Sequence, residues 1–266
     1  MNFDVVIIGG GPGGYVCAIK AVQLGLHVAV VDKAKSELGG TCLTKGCIPT
    51  KAILQSAKIL HACERSSEFG VDCTVAAPNL DKIIERTKGI ICGLNSGVSG
   101  LFAKNKVNFV EGAARFKSSN TLIVENGGVL TELSGKNIVI AVGAKPRLIP
   151  GLEDLIQKGL VWTSKEAIFP KFLPNKMLIL GSGAIGIELA SFYNAMGTKV
   201  TIAEMMERIL IQEDNEIAES ARKSFERQGI KVITSAKTQN FKADQGKVSV
   251  EIVDKNGRLE KEILTW

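Results

Sequence analysis

Twice along the chain, a short apolar run of strand length passes directly into clustered glycines and then into a helix-length segment. Asp4-Val5-Val6-Ile7-Ile8 enters Gly9-Gly10-Gly11-Pro12-Gly13-Gly14, and the segment Tyr15 to Leu24 is stopped by Gly25. Lys176 to Leu180 enters Gly181-Ser182-Gly183-Ala184-Ile185-Gly186, and the segment Ile187 to Met196 is stopped by Gly197. Apolar runs of this length bounded by turn residues predict buried strands, and a glycine after the last periodic residue predicts a helix end. A second strand follows each helix, His27 to Val31 ending at Asp32 and Lys199 to Ala203 ending at Glu204. Each acid stands eighteen residues past the last glycine of its turn.

A lone glycine-rich turn can serve structure only, but strand, turn, helix and spaced acid together point to a dinucleotide. Gly9 permits the tight turn, Gly11 lets backbone approach a pyrophosphate, and Gly14 lets helix and strand pack. N–H groups at the helix start receive the phosphates, and Asp32 takes ribose hydroxyls. Gly181, Gly183 and Gly186 repeat these places, with Ala184 and Ile185 at the second helix start and Glu204 as the second acid. Two such units about 170 residues apart imply two nucleotides. Glu204, with Glu207 nearby and no arginine until Arg208, would repel a 2′-phosphate, so the second site is expected to prefer NAD to NADP.

Between the two units the period changes. Ala52 to Glu64 and Leu80 to Lys104 read as helices, the second interrupted by glycines 89, 93, 97 and 100. Val107–Val110, Thr121–Glu125 and Asn137–Ala141 then read as strands among Gly, Ser and Asn. Pro146 to Gly151 is turn-rich and is taken as the boundary between a first domain, 1–147, and a second, 148–266. In the second, Glu213 to Gln228 reads as an amphipathic helix and Ile230–Thr234 as a strand. Lys255-Asn256-Gly257 marks a hairpin between Val248–Asp254 and Arg258–Leu264.

Composition narrows the function classes. At 266 residues, with 45% hydrophobic and 23% charged side chains, the chain can bury two ordinary cores. The net charge of +6 is spread along the chain rather than blocked, which argues against a nucleic-acid partner. No apolar run reaches the ~18 residues of a membrane span, and no leader precedes the first strand, so a cytoplasmic location is expected. Cys17, Cys63, Cys73 and Cys92 are irregularly spaced, as suits reduced buried thiols rather than a metal site.

The remaining pair, Cys42 and Cys47, lies five residues apart in Gly39-Gly40-Thr41-Cys42-Leu43-Thr44-Lys45-Gly46-Cys47-Ile48-Pro49-Thr50-Lys51. In an undistorted helix they would sit about 140° around and ~7.5 Å along from one another. Bridging them requires a bend, part of which Pro49 could supply, while Gly39 and Gly40 allow close approach to a ligand. A closed loop this short constrains the unfolded chain by only ~2 kcal/mol, which suits a bond that opens and closes. Two unpaired thiols on a buried helix are the alternative. Lys45, a cation between the cysteines, would favour a thiolate.

This stretch resembles the active-site signature of the flavin-dependent pyridine-nucleotide disulfide oxidoreductases, and Leu43 and Ile48 make it most similar to the dihydrolipoyl dehydrogenases. The resemblance covers essentially the whole chain. It implies an α/β fold of two doubly wound Rossmann-like domains, for FAD and then NAD, with a β-meander in the first. It implies a Cys42–Cys47 redox disulfide, Cys47 lying against the flavin and Cys42 being the exposed interchange thiol. Gly40 and Thr41 would lie at the FAD, Lys51 would approach the flavin and pair with Glu188, and Ala114 would lie near the adenine. Val142, Gly143 and Ala144 correspond to the family motif that closes the first flavin segment, and Thr238 falls near the adenine of NAD.

By the same resemblance, electrons pass from a lipoyl dithiol through the disulfide and FAD to NAD. The partners would be the lipoyl-bearing protein of a 2-oxo-acid dehydrogenase complex or glycine cleavage system, within a homodimer. The base such enzymes take from a C-terminal interface domain, the second flavin segment and the last strand of the NAD domain are not found in the sequence. The chain therefore reads as the first part of a longer protein, expected to hold FAD weakly and not to turn over dihydrolipoamide alone. A glutathione- or mercuric-type reductase and an inactive nucleotide-binding fragment are the other readings.

Overall fold

The computed structural model describes residues 1–74 and 77–264. By packing, the chain forms two compact units, Met1–Pro49 with Glu85–Lys145, and Thr50–Ile84 with the chain from Pro146 onward. Residues 50–84, which the sequence groups with the first domain, pack in the second unit because Ile53 and Ala57 are buried in its core. Trp266, where the second expected domain ends, lies outside the described residues.

The elements of the N-terminal half are β1 (Asn2–Ile8), α1 (Pro12–Gln23), β2 (Val28–Asp32), α2 (Gly40–Lys45), α3 (Cys47–Glu64), α4 (Leu80–Lys104), β3 (Asn108–Glu111), β4 (Ala113–Ser118), β5 (Thr121–Asn126) and β6 (Val129–Ile140). One six-stranded sheet has the order β3-β2-β1-β6-β5-β4. β1 runs parallel to β2 and β6, while β4, β5 and the first half of β6 form an antiparallel meander. β1 is covered on both faces, so it needs apolar side chains at successive positions. Val5 and Ile7 pack with Ala18 and Ala21 of α1 and Val98 and Phe102 of α4. Phe3 and Val6 pack on the other face against Leu122, Val124 and Leu133 of the meander. β6 changes partner at Ser134, which pairs with both Thr121 and Asn2.

The second unit contains α5 (Glu153–Gln157), α6 (Ser164–Ile168), β7 (Lys176–Leu180), α7 (Ala184–Ala195), β8 (Lys199–Ala203), α8 (Asn215–Arg227), β9 (Lys231–Ile233), β10 (Lys237–Asp244), β11 (Lys247–Val253) and β12 (Leu259–Leu264). β7, β8 and β9 are parallel, and β10, β11 and β12 form a separate antiparallel sheet. The core gathers Ile53 and Ala57 of α3, Leu189, Ala190, Phe192 and Tyr193 of α7, and Val200 and Ile202 of β8. Tyr193 donates its hydroxyl to the carbonyl of Ala167 at 2.7 Å. Burial pushes this phenol far above its ordinary range.

This is the expected α/β architecture, each unit containing a strand-helix-strand repeat with parallel strands. The elements not read from the sequence are α2, β4, α5, α6 and β10. β10 carries mostly polar residues and β4 polar and apolar residues in equal number, and their strand conformation comes from pairing with β11 and β5. No helix among the described residues is long and apolar enough to cross a membrane.

α4 forms despite its glycines because Ile84, Val98 and Phe102 bury one face. A β-carbon at Gly93 or Gly97 would meet no atom within 4 Å. Gly93→Ala and Gly97→Ala should therefore each stabilise the chain by about 0.5–1 kcal/mol, through helix propensity alone. Denaturant titration checks this, and a loss of stability in either variant would contradict it.

Candidate active site

The first glycine turn is held together without side chains. A β-carbon on Gly14 would fall 1.8 Å from the carbonyl oxygen of Gly9, so α1 rests directly on the end of β1. Ala141, just after β6, also crosses Gly9, whose β-carbon would lie 2.2 Å from the Ala141 carbonyl oxygen. Val142, Gly143 and Ala144 therefore leave the sheet beside the turn, and all three are exposed. Asp32 closes the turn from the other side, accepting the Gly10 N–H at 2.6 Å and the Lys33 N–H at 2.7 Å. Helix α1 starts at Gly11 with no capping side chain.

The cysteine stretch is packed onto this turn. The N–H of Gly39 donates to the carbonyl of Gly10 at 2.9 Å, and a β-carbon on Gly40 would lie 2.6 Å from the α-carbon of Gly11. Gly40 thus permits a close approach of the cysteine stretch to the first glycine turn. Gly40 and Thr41 open α2, Cys42 is half-buried, and Leu43 and Thr44 are buried. The helix then breaks at Gly46, with φ −140° and ψ −115°, and restarts at Cys47 as α3. A β-carbon on Gly46 would lie 2.8 Å from the Thr41 carbonyl oxygen and 3.3 Å from the Cys42 α-carbon.

The bend between the cysteines is therefore made at Gly46. Pro49 sits within the first turn of α3, where its missing N–H costs nothing. Cys42 and Cys47 are not joined by a disulfide in this structure. Cys47 is exposed and Cys42 half-buried. Lys45 does not act as an isolated cation between the thiols: its Nζ lies 2.7 Å from each carboxylate oxygen of Glu37. That ion pair satisfies its charge locally.

The second turn repeats the first. A β-carbon on Gly186 would fall 2.2 Å from the Gly181 carbonyl oxygen, while one on Gly183 would meet nothing within 4 Å. Ala184 opens α7 after Gly183, again without a capping side chain. Glu204 accepts the Ser182 N–H at 2.8 Å, the Ser182 hydroxyl at 2.7 Å and the Met206 N–H at 2.8 Å. Partial burial pushes the Glu204 carboxyl up, but the hydrogen bonds from Met206 and Ser182 outweigh it and hold the group below the usual carboxylate range. Lys51 Nζ stands 2.6 Å from Glu188 Oε1, joining α3 to α7 within this unit. An apolar cavity of about 630 Å³ runs along β7, lined by Leu152, Ile156, Leu160, Ile179, Ile185 and Leu264. Gly181, Gly183, Ala184 and Gly186 of the second turn, with Arg147 and Thr163, line it as well.

A family profile described as pyridine nucleotide-disulphide oxidoreductase matches residues 3–265. The chain belongs to that family. A dihydrolipoyl dehydrogenase of Zymomonas mobilis is 40% identical over 262 residues, covering 98% of this chain and 55% of that protein. One from Acholeplasma laidlawii is 39% identical over 267 residues, covering 99% of this chain and 77% of that protein. Among solved structures, the Cu(II) complex of the HOCl-induced flavoprotein disulfide reductase RclA from Escherichia coli superposes with a TM-score of 0.81 at 26% identity, covering 99% of this chain and 55% of that one. The chain spans about half the length of most curated relatives it matches.

In this member of the pyridine nucleotide-disulphide oxidoreductase family, other sequence-derived positions fall as follows. Ala114, on β4, packs against the core between the sheet and the meander. Thr238 lies in β10, opposite Ile252. Arg208 donates to the carbonyls of Ile211 and Glu213 at 2.9 and 2.8 Å, so it is engaged with its own loop. Cys73 and Cys92 are exposed and Cys63 is half-buried, contrary to the expectation of buried thiols, because they lie in a loop, on the solvent side of α4 and at the end of α3. Sequence reading missed Asn95, whose side-chain amide lies 3.2, 3.2 and 2.9 Å from the carbonyls of Lys35, Ser36 and Leu38. It anchors to α4 the loop that delivers Gly39 and Gly40. No periodic signal marks such a residue, since its partners are backbone groups nearly sixty positions away.

Asn95→Ala should cost about 1–3 kcal/mol by leaving the partly buried Leu38 carbonyl unpaired. Gly46→Ala should cost a similar ~1–3 kcal/mol by forcing the two helices apart. Denaturant titration measures both, and neutral outcomes would mean that neither residue sets the loop. For Glu204 the sign follows from its depressed value: its stabilisation is present above the ordinary value of 4.5 and is lost as pH falls through the folded value. Glu204→Gln should therefore lower stability at neutral pH by about 1 kcal/mol and flatten the acid side of the stability curve. An unchanged pH profile would show that the carboxylate is not held as described.

Proposed function

We propose that this chain carries the dithiol site and both nucleotide sites of a dihydrolipoyl dehydrogenase. The observation that carries the reading is the packing of the cysteine stretch onto the first glycine turn, Gly39 bonded to Gly10 and Gly40 against Gly11. A thiol pair fixed to the phosphate-binding turn of one nucleotide serves electron transfer to that nucleotide. The relatives near 40% identity support lipoamide as the dithiol substrate, and the lipoyl-bearing protein of a 2-oxo-acid dehydrogenase complex or glycine cleavage system as partner, with a homodimer as the working assembly.

The residues present fit the nucleotides. At the first site, the uncapped start of α1 would take the pyrophosphate of FAD, with Gly9, Gly11 and Gly14 leaving the space and Asp32 facing the ribose. Each carboxylate oxygen accepts more than one hydrogen bond, so Asp32 and Glu204 can hold the turn and a ribose together. Gly40, Thr41 and Val142–Ala144 border the same turn, and Ala114 would serve the adenine side. At the second site, Gly181, Gly183, Ala184, Ile185 and Gly186 would receive NAD, with Glu204 at its ribose and Thr238 toward its adenine. Glu204 beside the engaged Arg208 supports NAD over NADP.

The chemistry at the thiols balances by exchange. A lipoyl thiolate attacks Cys42 Sγ of the oxidised pair, and Cys47 leaves as the thiolate. The second lipoyl thiol attacks the sulfur bonded to Cys42 and passes its proton to the departing Cys42 sulfur, so the lipoyl group becomes a disulfide while Cys42 ends as a thiol and Cys47 as a thiolate. FAD, when bound, would supply the two-electron chemistry that links this dithiol to NAD. Lys51, one helical turn beyond Cys47, would approach the flavin, and Glu188 would hold its ammonium in place. The pair is exposed enough to contribute only ~0–1 kcal/mol of stability, which suits a positioning role better than a structural one.

Visible absorption of the chain in excess FAD tests the reading. Mild reduction should produce a long-wavelength band that Cys47→Ser abolishes. NADH should bind at least about tenfold more tightly than NADPH, equivalent to ~1.4 kcal/mol. NADH binding with no perturbation of FAD would reduce the chain to a nucleotide-binding module, and dithiol oxidation that survives in Cys42→Ser would overturn the exchange role.

A further inference from the structure

The two glycine turns differ at their middle residue, and the difference falls on the acid that faces each turn. In the first, the Gly10 N–H donates to Asp32 Oδ2 and the Lys33 N–H to Oδ1, one donor on each carboxylate oxygen. A β-carbon at Gly10 would fall 2.6 Å from Leu38 Cδ2 and 3.1 Å from Asp32 Oδ2, so a side chain there would crowd the turn against its acid. In the second turn Ser182 holds the same place, and it is only 1% exposed. Its N–H and its hydroxyl both end on Glu204 Oε2, at 2.8 and 2.7 Å, while Oε1 accepts the Met206 N–H at 2.8 Å. The Ser182 carbonyl accepts the Leu210 N–H at 3.2 Å, so the residue is also tied to the segment that follows the acid.

Given the NAD site proposed above at this turn, we infer that Ser182 is a positioning residue that limits Glu204 to a single hydroxyl of the adenosine ribose. A carboxylate oxygen offers two acceptor directions. Ser182 takes both of those on Oε2. A hydroxyl buried beside an anion at 2.7 Å makes a charge-assisted bond and keeps its proton on that anion. Oε1 has one direction taken by the Met206 N–H and one left, on the side of a residue that is itself exposed. The double hold on Oε2 also stops the carboxylate from turning, so Oε1 is the oxygen presented to a ligand. Asp32, with one donor on each oxygen, can receive two vicinal hydroxyls at once, whereas Glu204 receives one. The same sugar is therefore held by both of its hydroxyls at the first acid and by one at the second.

The test titrates the full chain with NADH and with its two analogues lacking the 2′- or the 3′-hydroxyl of the adenosine ribose, followed by reduced-nicotinamide fluorescence. The unaltered chain should bind one analogue about tenfold or more weakly than NADH, as befits a lost hydrogen bond to a charged group, and the other within about twofold of NADH. Ser182→Ala keeps the N–H and removes the hydroxyl, and Ser182→Gly reproduces the first turn. In each variant Oε2 regains an acceptor direction, so both analogues should bind about threefold or more weakly than NADH does to the same variant. A merely structural serine would weaken all three nucleotides alike and leave their ratios unmoved, which would overturn the inference. Equal losses for the two analogues in the unaltered chain, or no loss for either, would overturn it as well, and that comparison stands whether or not either variant folds. NADH that fails to bind the unaltered chain would instead remove the NAD site itself, and the role of Ser182 with it.

Discussion

The rest of the structure depends on two places where a helix touches the end of the strand before it with no side chain between them. Gly14 over Gly9 and Gly186 over Gly181 leave no space for a β-carbon. This contact aims the helix start outward from the strand end, so backbone N–H groups converge where an anion can be held. It also brings the next strand alongside in parallel, and thereby sets the distance from the acid at that strand's end to the turn. Any side chain at either third glycine would separate helix from strand and dissolve all three relations at once.

The acids then work in two directions. Asp32 takes the N–H of Gly10 and Glu204 takes that of Ser182, the middle residue of each glycine turn, across the same interval of 22 residues. Each carboxylate thus rigidifies the turn it faces while keeping oxygen lone pairs for a further donor. In the first unit a further layer is added, since the cysteine stretch rests on Gly10 and Gly11 and is tethered from outside by Asn95. The thiols are placed relative to the first glycine turn by backbone contact, not by long side chains. Such an arrangement positions sulfur with little conformational freedom to lose on binding.

Much of this was legible because the decisive features are local. Strand, glycine turn, helix and acid lie in about thirty consecutive residues, and the cysteine signature in thirteen. β7 and β8 fall where apolar runs predict them, and α4 spans the periodic segment despite its glycines. The losses have one physical origin. β4 and β10 are edge strands whose conformation comes from a neighbour's hydrogen bonds rather than from burial. Asn95 binds carbonyls far away in sequence. The helix break at Gly46 depends on the fit of one backbone turn against another, and the proline nearby misdirected the reading.

The sequence by itself determined the two strand-turn-helix folds, their order and the spacing of acid to turn, because each is encoded by residue types at short fixed separations. Tertiary structure decided how those parts are held. It placed Glu37 on Lys45, so that a cation expected to act on the thiols is instead neutralised. It assigned the bend between the cysteines to Gly46. These outcomes rest on which backbone and side-chain groups meet after the chain turns. A one-dimensional pattern records the preferences of residues but not the partners that packing supplies.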